Sequence, residues 1–263
     1  MSAPTVTRRA TGTVGQFLAG VGLLFRGLAT YGRSPGLVLL GLVPAVISFA
    51  LFATAFGALI YFADDLAELV TPFADDWSRP AAGFVRLLAG LALVGVGGLL
   101  CVLTFTAVTL LIGDPFYEKI SEQVDDRFGG VPGEVEVGFW RSLRRSAVDS
   151  LRLVVKSVLV GVPLFVAGFI PVVGQFVVPV IGVAVGGWFL VMELVGVPFY
   201  RRGLRLADRR RVLRANRPLA LGFGVTVFLC FLIPLGAVLL MPAAVAGATL
   251  LTRRAFGQPT GER

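Results

Sequence analysis

No histidine occurs among the 263 residues, and only two cysteines do. The first absence removes the commonest general base and metal-binding side chain. The cysteines, Cys101 and Cys230, sit inside apolar runs, form no CxxC pair and read as small buried apolar residues. Lysine is nearly missing too: Lys119 and Lys156 are the two lysines among 24 Lys+Arg. No Walker A loop, Gly-rich dinucleotide loop or HExxH is present, so neither a cofactor nor a metal is expected, and no catalytic residue stands out. Charge is the scarcest commodity of all, at 15% of residues against about 25% in an average soluble domain. An ordinary soluble enzyme and a disordered chain are both excluded by that shortage.

The charges that exist are confined to parts of the chain. Residues 34–63, 87–113, 157–192 and 218–252 contain none, and uncharged runs of 18 or more residues argue for membrane spans. The first run holds a single internal proline, Pro44, and the second holds none. Each is long enough for one helix to cross a hydrocarbon core of ~30 Å with tilt. The third run is broken by Pro163, Pro171 and Pro179, and the fourth by Pro234 and Pro242. Thirty-five or so residues exceed one span and fall short of two with a turn, which need roughly 44. Two half-length helices meeting at a Pro/Gly apex fit better.

Charge asymmetry tests that topology through the positive-inside rule. The first 33 residues carry four Arg and no acid, and 193–217 carry eight Arg against two acids. Residues 64–86 carry five acids and two Arg. If the third and fourth runs turn back as hairpins, every Arg-rich region faces the cytosol. A short internal echo supports hairpins: Phe169-Ile170-Pro171-Val172-Val173-Gly174 beside Leu232-Ile233-Pro234-Leu235-Gly236. Paired Gly/Pro-broken apolar segments point to translocation sites in transporters. At the N-terminus, Arg8 and Arg9 precede an apolar patch interrupted by glycines, unlike the continuous core of a cleaved signal. Val14, Phe17, Leu18, Val21, Leu24, Phe25 and Leu28 follow helical spacing instead and read as an interfacial amphipathic helix.

The expectation is therefore an all-α integral membrane protein of one membrane domain, 1–263. An interfacial helix covers 14–31, spanning helices 34–63 and 87–113, a cytosolic helical region 114–156, hairpins 157–192 and 218–252, and a tail 253–263. Asp114 is placed to cap a helix beginning at Pro115, with Glu118 and Glu122 one turn apart on one face. That acidic face either is solvated or lines a vestibule. Arg141, Arg144, Arg145, Arg152 and Lys156 then lead into the first hairpin, and Arg201 to Arg217 lie between the two; both sets read as snorkelling or headgroup-binding side chains. Arg33, Ser34, Pro35 and Gly36 form a helix start whose free N–H groups suit an oxyanion. Gln175 is the polar side chain at the first apex.

These stretches resemble the CysZ-type sulfate transporters, within the wider etoposide-induced-protein-like superfamily. The resemblance rests on Asp114-Pro115-Phe116 followed by Ser121-Glu122-Gln123-Val124, on Phe169-Ile170-Pro171-Val172-Val173-Gly174-Gln175 with Pro179, on Pro198-Phe199, and on Met241-Pro242-Ala243-Ala244-Val245-Ala246-Gly247-Ala248-Thr249. It covers about residues 15–255. It implies a sulfate permease feeding cysteine synthesis, built from two long spanning helices and two inserted hairpins, and assembled as a homo-oligomer. Members of that family often carry paired arginines just after the Pro-Gly that opens the first span; here Leu37-Val38-Leu39 follow Pro35-Gly36.

The leading functional expectation is a transporter or channel for a small anion, with sulfate as the implied substrate, and not an enzyme. Arg33, Ser34 and Gly36 are its candidate binding residues. Asp114, Pro115, Phe116, Glu118, Glu122, Pro171, Gly174 and Gln175 are its candidate pathway. The expected setting is the bacterial inner membrane, multi-pass, with both termini cytoplasmic, membrane lipids as partners and no nucleic acid. The alternative is a non-transporting scaffold or bilayer-shaping protein of the same superfamily.

Overall fold

A computed structural model describes residues 12–133, 139–233 and 235–261, excepting the side chains of 139–147. Among these residues the structure is helical throughout, with no strand. Arg8, Arg9, Pro234 and the side chains of Arg141, Arg144 and Arg145 lie outside the described set. Ten α-helices follow in order: α1 Thr13–Gly32, α2 Pro35–Tyr61, α3 Ala63–Val70, α4 Arg79–Arg127, α5 Phe139–Ala167, α6 Val178–Leu194, α7 Gly196–Arg201, α8 Leu206–Ala215, α9 Arg217–Phe231 and α10 Gly236–Ala255. Among the described residues, six segments are long and apolar enough to cross a membrane: α1, α2, α4, Val148–Ala167 of α5, Val173–Leu194, and α10. The protein is a multi-pass membrane protein.

The chain forms two compact units. Residues 42–115 make one. Within it the acids of the α3 region are drawn to α4, where Arg86 meets Glu68 at 3.1 Å and Asp75 at 2.7 Å. Phe52 and Phe105 pack edge to face.

Residues 1–41 and 116–263 make the other unit, in which α1 packs on α9 and α10, and α6 on α9. Small residues permit this closeness: a Cβ on Gly27 would strike the backbone of Ala243 and Gly247 in α10, the kind of contact that holds helices together where lipid supplies no hydrophobic drive. Of the apolar positions read in α1, Leu24 is buried, whereas Val14, Phe17, Leu18, Phe25 and Leu28 are exposed. The buried stripe runs instead through Gly20, Leu23, Leu24 and Gly27.

Two helix–turn–helix pairs, α5/α6 and α9/α10, occupy the expected hairpin regions. Their turns share a device. Val172, after Pro171, has φ 69°, and Leu235 has φ 61°. Val173 N–H donates to the Pro171 carbonyl at 2.8 Å, closing a γ-turn, and Gly236 N–H donates to Ile233 at 2.8 Å. Positive φ is uncommon for side-chain-bearing residues and an outlier for a β-branched one. Gly174 follows because the backbone of Gly168 occupies the space of a Cβ.

Two expectations are corrected. The helix start at Pro115 does not exist: α4 runs unbroken through Pro115, so Asp114 is a mid-helix residue and not a cap. Proline removes one N–H and crowds one carbonyl; a helix whose other backbone groups have no alternative partner in an apolar setting continues past it. The arms of the first pair are also longer than half-spans, with apolar segments of 20 and 22 residues, Val148–Ala167 and Val173–Leu194, whereas α9 of the second pair is a shorter helix of 15 residues. Helical structure does not stop at the first charge, and α5 continues through Arg152 and Lys156.

Candidate functional site

The end of α4 buries one face. Tyr117, Ile120, Ser121, Val124 and Asp125 are all buried, at the three- and four-residue spacing that puts them on one side of a helix. Ser121 and Thr249 of α10 share a hydrogen bond of 2.9 Å. One turn on, the fully buried Asp125 gathers three arginines. Arg202 forks onto it, Nη1 to Oδ2 at 3.1 Å and Nη2 to Oδ1 at 2.9 Å. Arg253 Nη1 reaches Oδ1 at 2.9 Å, and Arg201 Nη1 reaches Oδ2 at 3.3 Å. Such a carboxylate is expensive to dehydrate, and bidentate, charge-assisted contacts offset that expense.

Arg253 does a second job. It donates to the carbonyls of Asp125 and Gly130, at 3.2 and 2.9 Å, and to that of Phe128. These lie at the C-terminal end of α4, where helix carbonyls lack partners and the dipole favours a cation. Its Nε donates to Pro259 at 2.8 Å, while Arg202 holds Gln258 Oε1 and Arg26 holds the Thr260 carbonyl, each at 2.6 Å. The segment after α10 is thereby fastened to α1, α4 and α7.

A second, largely buried carboxylate, Asp149, joins α5 to α7 and α8. Tyr200 donates to Asp149 Oδ2 at 2.6 Å, and Arg209 Nη2 approaches the same oxygen at 3.4 Å. Arg209, 2% exposed, stacks 4.5 Å from the Tyr200 ring centroid and donates to the Met192 carbonyl at 3.1 Å. Burial first, and then the hydrogen bond to Asp149, push the Tyr200 hydroxyl far above its ordinary value.

The sequence candidates distribute unevenly around these clusters. Ser34 is 3% exposed at the α1–α2 junction. Its hydroxyl donates back to the Thr30 carbonyl at 3.0 Å and accepts from the guanidinium of Arg127. Arg33 and Gly36 beside it are exposed, and nothing crowds Gly36. Among the described residues, no carboxylate pairs with Arg127. Glu122 is bound to Lys119 at 2.6 Å on the outer side of α4, and Glu118 shares that exposed side. Phe116 is half-buried. Asp114 and Pro115 belong to the other compact unit and are exposed.

Pro171, Gly174 and Gln175 form the α5–α6 turn, which packs on α6. Gln175 and Met192 stand 17 residues apart along one helical stretch interrupted only in pitch, roughly 25 Å. The turn and the arginine clusters therefore mark opposite ends of α6. Sequence reasoning missed Asp125, Arg202, Arg253 and the Asp149–Tyr200–Arg209 group. A signal for Asp125 existed: it continues the stripe of Tyr117, Ser121 and Val124 at helical phase.

Comparison with known proteins places this arrangement. The family model described as sulfate transporter CysZ/Etoposide-induced protein 2.4 matches residues 23–242. A sulfate transporter CysZ of Pseudomonas paraeruginosa is 29% identical over 245 residues, 92% of this chain and 97% of that protein. Proteins of the same description from Pseudomonas fluorescens and Pseudomonas syringae are 31% and 30% identical, covering 85% of this chain and 89% and 88% of theirs.

Proposed function

Because the chain belongs to the sulfate transporter CysZ/Etoposide-induced protein 2.4 family, we propose that it passes a small oxyanion across a bacterial inner membrane, with sulfate for cysteine synthesis as the substrate. The family is one of transporters, not of enzymes. The observation that carries this reading is the Arg127 guanidinium at the buried Ser34 hydroxyl, beside the start of α2. A cation answered by a neutral hydroxyl, next to the N-terminal N–H groups of a helix, favours an arriving anion. Arg33 adds charge at the same junction, on the far side of Pro35-Gly36 from the arginines that its relatives' pattern would lead one to expect.

In this reading α2 and α4 span the bilayer, and the α5/α6 and α9/α10 pairs enter from the cytosolic side and return. Both termini then face the cytosol, matching the Arg-rich segments. Asp114, Phe116, Glu118 and Glu122 line the approach along α4. Pro171, Gly174 and Gln175 constrict the path at the turn, and neighbouring copies cover its polar backbone.

Purified chain in liposomes tests the proposal through uptake of radiolabelled sulfate. Uptake above that of empty liposomes is expected, with the initial rate lowered about tenfold or more by Arg127→Gln, the scale of a lost hydrogen bond to a charged group. Uptake no greater than in empty liposomes overturns it, and vesicle tubulation without uptake would point to the bilayer-shaping alternative.

A further inference from the structure

Eight arginines lie between Glu193 and Pro218, and the fold sorts them by direction. Arg201, Arg202 and Arg209 turn inward, onto Asp125 and Asp149. Arg205, Arg211, Arg214 and Arg217 are exposed, and Arg210 is half-buried. Among the described residues none of these five pairs with a carboxylate side chain. Asp208, the one acid between Glu193 and Glu262, is occupied: its Oδ2 accepts the backbone N–H of Arg205 at 3.0 Å.

The sorting follows the phase of α8. Leu206, Arg209, Val212 and Leu213 are its buried side, and Arg209 ties that side to the end of α6 through Met192. Arg211 and Arg214 fall on the opposite side, one turn apart, and Arg210 lies at its edge. After Asn216 the chain enters α9 at Arg217, and no further charge occurs until Arg253. The outward arginines therefore stand where one apolar helix pair ends and the next begins. Positive charge at the start of α9 is also disfavoured by that helix's own dipole, a cost that a neighbouring anion would offset.

We propose that the outward face of α8, through Arg211 and Arg214, together with Arg217 at the start of α9, docks on the phosphodiester headgroups of anionic phospholipids in the leaflet where α6 ends and α9 begins. Separate exposed guanidinium groups, two on α8 and one at the start of α9, match several neighbouring headgroups. Charge complementarity, at the end of a membrane-inserted helix pair, favours lipid over a soluble ligand. The inference rests on the membrane location of the chain and not on what it transports.

The test uses the full chain in a neutral detergent, titrated with phosphatidylglycerol or phosphatidylcholine and followed by thermal unfolding. Phosphatidylglycerol should raise the unfolding temperature, phosphatidylcholine should raise it far less, and added salt should shrink the difference. The triple variant Arg211→Gln, Arg214→Gln, Arg217→Gln should unfold as the parent does in detergent alone, and its apparent affinity for phosphatidylglycerol should fall by about tenfold or more. If the variant is too unstable to melt, lipid adducts retained in native mass spectrometry of each single variant replace the readout. Equal phosphatidylglycerol response in parent and variant overturns the proposal. So does full reproduction of the effect by inorganic phosphate or sulfate at matched concentration, which would assign the face to soluble anions.

Discussion

Between Tyr117 and Arg127 one helix carries two kinds of acid. Asp125 is fully buried and gathers three arginines, whereas Glu122 keeps 37% of its side chain exposed and meets one lysine. They are three residues apart and chemically near-identical, and about 60° of rotation about the helix axis carries Glu122 past the edge of the buried stripe. The buried side fixes α4 to α7, α10 and the segment beyond it; the outer side leaves its charges to water or to a passing ion. Asp149 lies between these cases, 13% exposed, with Tyr200 and Arg209 as partners.

The largest expected effect comes from removing the charge at the buried extreme. Asp125→Asn keeps the shape but leaves three guanidinium groups facing a neutral amide. Breaking one side of a buried ion pair typically costs about 3–5 kcal/mol. Purified variant in detergent should unfold well below the parent temperature, or be recovered in low yield. An unfolding temperature equal to the parent's would break the comparison, because burial would then not distinguish Asp125 from Glu122.

Tyr200→Phe tests the intermediate case. It deletes a hydrogen bond to a charged acceptor, worth about 1.5–3 kcal/mol, without touching any charge. The raised value of the Tyr200 hydroxyl favours its protonated form in the folded chain. The stability this contributes is fully present below the ordinary value of 10.0 and is lost as the pH rises above it. The stability gap between parent and variant should therefore be constant from pH 7 to 9 and narrow above pH 10, read from thermal unfolding across that series. A gap that widens with alkalinity would contradict the Tyr200–Asp149 arrangement.

Much of the molecule can be reached from residue pattern alone, and the remainder fails for identifiable reasons. Uncharged runs locate the apolar helices, and the Pro/Gly clusters locate both turns. What they do not reveal is that Val172 and Leu235 take the positive φ there, since side-chain-bearing residues disfavour it and glycine would have been the expected choice. Gly113-Asp114-Pro115 carries the usual marks of a helix boundary, yet α4 passes through it because one missing bond is cheaper than exposing several backbone groups. The arginines of 193–217 count correctly towards topology, but their inward or outward direction depends on helix phase and on distant carboxylates. The junction at Ser34 was legible as a helix start; its partner Arg127, 93 residues away, was not.

The smallest effect should come from Glu122→Gln. The Glu122–Lys119 pair lies on a solvated surface, where such three-residue pairs contribute roughly 0.2–0.5 kcal/mol and salt screens them further. The unfolding temperature should stay within measurement error of the parent at physiological salt. That near-silence makes the variant useful, because any change in sulfate uptake by Glu122→Gln liposomes then reports on the approach along α4 and not on folding. Unchanged uptake would remove Glu122 from the proposed pathway while leaving the Arg127–Ser34 junction in place. A loss of stability comparable to that of Asp125→Asn would instead mean that the outer side of α4 is packed against something that only the assembled protein supplies.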